Sequence, residues 1–284
     1  LQENNRCLHL LSSRSTPMSD TAIHSLRIGV KRLRATWRLL EREIPASQFE
    51  DADARLRATH HLLAPSRDQL SLLATTRGLL EATTKPKTRA ALVVVERMVR
   101  GRGRETVTRD ILDRVSHGVQ YESSVWRELD VARIDDGRLI DGFARSYRRG
   151  CRLGERALRR DDVALMHRWR RLTKYCCYQL DMIKPVLGAD LREKRWYLDR
   201  LGDTLGRYHD LLLLRDRVVD APLGRDDRAR VEKAIDKQLA AYRKRARKLY
   251  PAGYAHKGHV YRDAVAADVA RLSFDNVIVL PRSA

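Results

Sequence analysis

The chain has 284 residues, of which 57 are Lys or Arg and 37 are Asp or Glu, so its formal net charge is +20. An excess of this size repels itself in a compact state, and we therefore expect an anionic partner: nucleic acid, an anionic membrane surface or a polyphosphorylated molecule. The hydrophobic content of 43% argues against wholesale disorder, and no stretch approaches the roughly 18 apolar residues of a membrane span.

The spacing of apolar residues is helical along nearly the whole chain. Only 15 Gly and 8 Pro interrupt it, a composition that favours helices. Ser19 and Asp20 are suited to cap the first predicted helix, and prolines follow several of the predicted ends. The sequence predicts an all-α protein with helices over about 20–43, 48–82 (kinked at Pro65), 87–118 (interrupted at 101–103), 138–160, 162–184, 189–219 and 226–249, a less regular segment over 119–135, and a tail that is partly helical to about 272.

An internal repeat connects the two halves of the chain. The pattern H-x-x-R-x-x-x-K begins at His24 and again at His167, 143 residues later. Downstream, Arg67-Asp68 matches His209-Asp210 at an offset of 142. Short connections favour antiparallel neighbours, as in a helix bundle. We therefore predict one domain over 1–284 that contains two repeats of about four helices each, approximately 1–118 and 138–272.

The helix predicted over 20–43 carries two parallel stripes. The apolar stripe consists of Ile23, Leu26, Val30, Leu33, Trp37 and Leu40. Beside it runs a stripe that is cationic only, whereas a solvated face normally mixes signs. A stripe that flanks the core tends to point into a groove between helices, although an ordinary solvated face is the alternative. The members of this cationic stripe are His24, Arg27, Lys31, Arg34, Arg38 and Arg42.

The second repeat carries similar cations on two predicted helices. Like charges one turn apart destabilise a helix by a few tenths of a kcal/mol per pair, and a chain of phosphates would remove that cost. Arg suits such a ligand because its fork can bridge two phosphate oxygens, and Lys adds a point charge. The candidate binding residues of the second repeat are Arg145, Arg148, Arg149 and Arg152 from 138–160, and His167, Arg170 and Lys174 from 162–184.

The two H-x-x-R-x-x-x-K helices, the Arg67-Asp68 and His209-Asp210 positions and the duplication resemble the CHAD family, the conserved histidine α-helical domain. The likeness covers nearly the whole chain. It implies two four-helix bundles that are related by a pseudo-twofold axis and form one CHAD-type domain with a central basic groove or pore. It also implies non-enzymatic binding of inorganic polyphosphate and targeting to polyphosphate granules. The ligand-facing set that it implies is His24, Arg27, Lys31 and Arg34, with His167, Arg170 and Lys174 as their mates.

The second repeat departs from the first in ways that bear on the groove. Tyr175 and Cys177 stand where the first repeat has arginines, and Asp181 replaces the counterpart of Arg38. The cationic stripe of the second repeat is therefore shorter, which argues against an evenly charged pore. Two further positions complete the prediction: His209 joins the ligand-binding set, and the acids that follow it and its counterpart, Asp210 and Asp68, are expected to orient a buried Arg or His.

Two other functions stay open as hypotheses. A nucleic-acid-binding protein would fit the charge, but the sequence shows no helix-turn-helix, zinc-finger or RNP-type motif, and we expect the tryptophans in the core. A metal phosphohydrolase would need His and Asp ligands beyond His209-Asp210, and none has suitable spacing. The four cysteines form no C-x-x-C pair, which disfavours disulfides and zinc and favours the cytoplasm. We therefore expect no catalytic residue, no cofactor, no metal and no membrane association.

Overall fold

The computed structural model describes residues 2–12, 18–101, 107–130, 134–160, 162–182, 188–254, 260 and 262–267, without the side chains of 65–68 and 136. The residues in these ranges form helices and their connections, with no strand, which confirms the all-α prediction. The helices are α1 (Gln2–Ser12), α2 (Asp20–Leu40), α3 (Ala46–Leu62), α4 (Pro65–Glu81), α5 (Pro86–Gly101), α6 (Arg109–Glu128), α7 (Asp136–Arg160), α8 (Val163–Met182), α9 (Ala189–Val218) and α10 (Arg225–Tyr254).

The helix predicted over 48–82 is in fact two helices, α3 and α4. Pro65 begins α4, where its missing N–H would have no intrahelical partner in any case. The segment 119–135, which the sequence predicts to be less regular, continues α6 as far as Glu128. It does so because Val119, Glu122 and Ser123 extend the buried face of that helix.

The helix α1 has no counterpart in the predicted elements. Asn4 is fully buried, and its amide donates hydrogen bonds to the carbonyl oxygen of Val119, 3.0 Å away, and to Ser123 Oγ. Cys7 is also buried, and a Cβ added to Gly29 would collide with its Sγ. A buried asparagine lowers the apolar signal that periodicity detects, so the sequence pattern alone did not indicate this helix.

The helix α10 continues through Pro251 to Tyr254, beyond the predicted end near residue 249. Proline inside a helix costs about 3 kcal/mol. Packing of the last turn offsets this cost: Tyr254 is buried, and its ring lies 5.0 Å from that of Tyr147 and 5.7 Å from that of Tyr250. Tyr147 also donates its hydroxyl to the carbonyl oxygen of Gly253 at 3.3 Å.

The chain divides into two compact units. Unit 1 comprises Leu1–Lys31, Ala54–Arg127 and Asp203–Lys248, and unit 2 comprises Arg32–Asp53, Glu128–Gly202 and Leu249–Ala284. Five helices contribute residues to both units: α2, α3, α9 and α10, and α6 through its last residue, Glu128. Each unit thus contains parts of both predicted repeats, whose bounds and pseudo-twofold relation stay predictions.

Each unit has its own buried core. In unit 1 a cluster joins α1, α2 and α6 through Cys7, Met18, Ile23, Leu26, Leu63, Val107, Val115 and Val119. In unit 2 the two largest buried side chains are Trp37 and Trp169, as the sequence predicted for them. Cys176 and Cys177 are buried beside them in α8, and burial raises the pKa of the Cys177 thiol to about 12.

Gly142 allows α7 to cross the end of α2 at close range within unit 2. A Cβ at this position would lie 2.9 Å from the Cα and the carbonyl carbon of Leu39, and closer still to the carbonyl oxygen. Because backbone cannot move aside as a side chain can, we expect Gly142→Ala to lower the free energy of unfolding by about 1–3 kcal/mol. Urea denaturation measures this.

Gly78 in α4 supplies the matched control for Gly142. A Cβ there meets no atom within 4 Å. Gly78→Ala should therefore raise the free energy of unfolding by about 0.5–1 kcal/mol through helix propensity alone. Opposite signs for the two substitutions are expected; a stabilising Gly142→Ala would contradict the close approach of α2 and α7.

Candidate anion-binding site

Arg34 and Arg38 lie one turn apart on α2 and share a carboxylate in unit 2. Arg34 is only 8% exposed and donates from Nε and Nη2 to Asp53 Oδ1, at 3.0 and 2.8 Å. Arg38 Nη2 lies 3.5 Å from the other oxygen of the same carboxylate. Asp53, on α3, thus fixes both guanidinium groups. Arg34 therefore helps to hold α2 against α3 through this ion pair, in addition to any role in ligand binding.

A further arginine of α8, Arg171, lies near this pair, and Arg168 precedes it by about one turn. Arg168, Arg171 and Tyr175 fall on one stripe of the helix, and Arg34 Cζ lies 6.0 Å from the centroid of the Tyr175 ring. Desolvation lowers the pKa of Arg171, and the positive charges of Arg34, Arg38 and Arg168 lower it further. Guanidinium groups from distant parts of the sequence thus converge here. We call Arg34, Arg38, Arg168 and Arg171 the arginine cluster.

The predicted residues Arg170 and Lys174 lie on the adjoining stripe of α8, around the hydroxyl of Tyr178. Burial raises the pKa of Tyr178, while the nearby charges of Lys174, Arg170 and Arg32 act to lower it. Lys174 Nζ is 3.1 Å from Asp199 Oδ1. The structure therefore brings Arg170 and Lys174 together with Arg32, which was not among the predicted site residues.

The predicted arginines of α7 divide into two pairs. Arg145 is nearly buried; its Nη2 lies 3.2 Å from the carbonyl oxygen of Leu39 and 3.7 Å from Glu43 Oε1. Burial lowers the pKa of Arg145, and the charge of Glu43 acts to raise it. Arg149 is paired with Glu41. Arg148 and Arg152 are exposed, as Arg149 is.

Of the remaining predicted residues, His167 is partly buried on α8 in unit 2, and the others belong to unit 1. His24 and Lys31 are partly buried on α2, and Arg27 between them is 7% exposed. His209 on α9 is partly buried as well. The stripe thus flanks the core of the helix, as predicted, rather than standing in open solvent.

Of the two acids that were expected to orient an Arg or His, the structure describes the side chain of only one, Asp210. The side chain of Asp68 lies outside the described residues. Asp210 lies in the wall of a cleft of about 620 Å³ between α4, α9 and α10, together with Arg207, Gln238 and Tyr242. Its expected orienting role stays a prediction.

One aromatic side chain departs from the expectation that the tryptophans lie in the core. Trp196 on α9 is 47% exposed, and Arg200 Cζ lies 4.5 Å from its ring centroid. In unit 1, Arg55 Cζ lies 4.6 Å from the ring centroid of Tyr121, which is also exposed. Guanidinium groups over aromatic faces are a known recognition arrangement, so these pairs bear on the nucleic-acid hypothesis.

Among the residues that the structure describes, no three or more His, Cys, Asp or Glu side chains form a group that could hold a metal ion. No helix within the described ranges combines the length and the apolar character needed to cross a membrane.

The chain matches a family of known proteins. A family model described as the CHAD domain matches residues 9–219. This span runs from α1 to the end of α9 and contains every predicted site residue. No curated protein sequence matches the chain.

Proposed function

Because the chain belongs to the CHAD family, which is associated with polyphosphate binding, we propose that it binds inorganic polyphosphate and catalyses no reaction. The observation that carries the proposal is the arginine cluster, where Arg34 and Arg38 of α2 share the carboxylate of Asp53 and the positive charges of Arg34, Arg38 and Arg168 act on Arg171 of α8. Such a local excess of positive charge is favourable once phosphates neutralise it. The planar guanidinium fork also matches the spacing of phosphate oxygens.

A flexible chain of phosphates can follow cations along neighbouring helices. Arg32, Arg170 and Lys174 around Tyr178 form a second group beside the arginine cluster on α8. We propose that both groups bind one polyphosphate chain, with His167 on α8 and Arg148 and Arg152 on α7 as further contacts. In unit 1, His24, Arg27, Lys31 and His209 are proposed as ligand residues, and Asp68 and Asp210 as residues that orient them. We also propose a location on polyphosphate granules in the cytoplasm.

The direct test is competition between polyanions. Labelled long-chain polyphosphate is bound to the protein and displaced by unlabelled polyphosphate, single-stranded DNA or RNA of equal total charge, across a series of salt concentrations. We expect polyphosphate to displace the label best at every salt concentration. Equal displacement by all three would instead indicate non-specific binding of polyanions.

A second candidate function, binding of single-stranded nucleic acid, is favoured by Trp196 and Arg200. Bases stack on exposed aromatic rings, whereas polyphosphate has no ring to stack. We expect polyphosphate to bind without static quenching of Trp196 fluorescence, with Trp196→Phe as the control that identifies the signal. Tight binding of DNA with strong quenching would favour the second function.

The absence of catalysis is tested separately. The protein is incubated with polyphosphate and Mg²⁺ or Mn²⁺, and the released phosphate is measured over time. We expect no release above that of the protein-free control. Sustained turnover would contradict the proposal of a non-enzymatic binding protein.

A further inference from the structure

The turn that follows α2 places two glutamates against the arginines of α7. Glu41 pairs with Arg149, and Glu43 Oε2 lies 3.0 Å from Arg138 Nη1, with Arg145 Nη2 3.7 Å from its other oxygen. We call Glu41 and Glu43 the acidic turn. Each of its carboxylates contacts guanidinium groups to which a phosphate bound at α7 would also bind.

The arginines of α7 are held by the acidic turn in two different ways. Arg145 is nearly buried and contacts the carbonyl oxygen of Leu39, so it helps to satisfy the carbonyl end of α2. Arg138 and Arg149 are 55% and 46% exposed. Ion pairs of such exposed groups contribute little to stability, and these two side chains can therefore exchange one anion for another.

The acidic turn is continuous with the arginine cluster. Arg38 lies between them, with Nη2 3.5 Å from Asp53 and Nη1 3.9 Å from Glu41. All these residues belong to unit 2. A phosphate chain that binds the cluster at Arg38 would therefore meet Glu41 next, before it could reach Arg149.

We propose that the acidic turn is an internal counterion that competes with polyphosphate for Arg138 and Arg149 and so limits the affinity of the α7 side of the site. The proposal rests on the proposed function and concerns its regulation. Bound polyphosphate displaces the two carboxylates, and its oxygens take their places on the guanidinium groups. Long chains gain from this displacement because they extend past the arginine cluster, whereas short chains bind the cluster alone.

The test removes the two negative charges and keeps the side-chain shapes, with Glu41→Gln and Glu43→Gln combined. Because Arg138 and Arg149 are released from their part-exposed ion pairs, we expect the Kd for long-chain polyphosphate to fall about three- to tenfold at low salt. The slope of log K against log salt should steepen by about 1.4, since each additional cation that neutralises a single-stranded polyanion contributes about 0.7. The Kd for short-chain polyphosphate should change less.

A matched control separates this effect from the change in net charge. Glu96 pairs with Arg77 and Arg100, and Asp110 with Arg114, all in unit 1. Glu96→Gln combined with Asp110→Asn raises the net charge by the same amount and should leave the Kd nearly unchanged. If the double variant of the acidic turn does not fold by circular dichroism, Glu41→Gln alone is used, because its partner Arg149 is half-exposed.

Three results would overturn the inference: an unchanged Kd and salt slope in the acidic-turn variant, an equal gain in the control variant, or a weaker Kd in a folded acidic-turn variant. The last would mean that the glutamates position the arginines for binding. A wild-type protein that does not bind polyphosphate would refute the proposed function itself, and the wild-type titration detects that case first.

Discussion

Replacing Arg168 and Arg171 together with Gln is expected to weaken polyphosphate binding on the order of 100-fold at low salt. Each hydrogen bond to a charged group is worth about 1.5–3 kcal/mol, so the loss of two such contacts reaches this size. Both residues are exposed on α8, and their replacement should leave the helical content and the melting temperature close to those of the wild type. Titration of labelled polyphosphate measures the effect.

The matched control replaces two exposed arginines of unit 1, Arg97→Gln and Arg127→Gln. Net charge falls by the same amount in both variants, but only the first pair includes Arg171, on which the charges of Arg34, Arg38 and Arg168 act. We expect the control to lose less than about threefold. A similar loss in both variants would mean that polyphosphate responds to the total charge and that the arginine cluster is not the site.

Asp53→Asn is expected to lower the free energy of unfolding by about 3 kcal/mol. The carboxylate of Asp53 accepts two hydrogen bonds from the buried guanidinium of Arg34 and also lies within ion-pair distance of Arg38. Removal of one partner of a buried ion pair leaves an uncompensated charge, which costs about 3–5 kcal/mol. Denaturation in urea gives the value directly.

Asp51→Asn, two residues earlier on α3, is the control for this prediction. Asp51 is exposed, and an exposed substitution should change the free energy of unfolding by less than about 0.5 kcal/mol. If Asp53→Asn costs no more than Asp51→Asn, then Asp53 does not hold Arg34 and Arg38 in place, and the geometry assigned to the arginine cluster is wrong.

The stripe on α2 illustrates how far sequence reasoning reaches. The cationic residues follow the apolar ones by one position, so the sequence predicts a stripe beside the core face, and Arg27 and Arg34 are indeed almost buried. The partner of Arg34 was not predictable in the same way. Asp53 is one of several acids in α3, and nothing in the local pattern distinguishes it from Asp51.

The arginines of α7 illustrate what sequence reasoning could not predict. In a helical projection Arg145, Arg149 and Arg152 fall on one narrow arc, with Arg148 at its edge, and the sequence predicts one role for all four. In the structure their contacts differ. Gly142 lets α7 approach the end of α2, and Arg145 and Arg149 therefore pair with the glutamates of the acidic turn. Arg38 and Arg171 likewise lie close enough for their charges to interact, although they belong to separate helices.

The sequence by itself determined the helical class, the family and the stripes of positive charge, because helical period, composition and motif spacing are properties of neighbouring residues. The tertiary structure alone decided which cations meet one another and which meet a carboxylate. Those encounters join residues about a hundred positions apart, such as Glu41 with Arg149. They depend on how closely two helices pack, which is set by single side chains and glycines in the core and not by the pattern of charge along the chain.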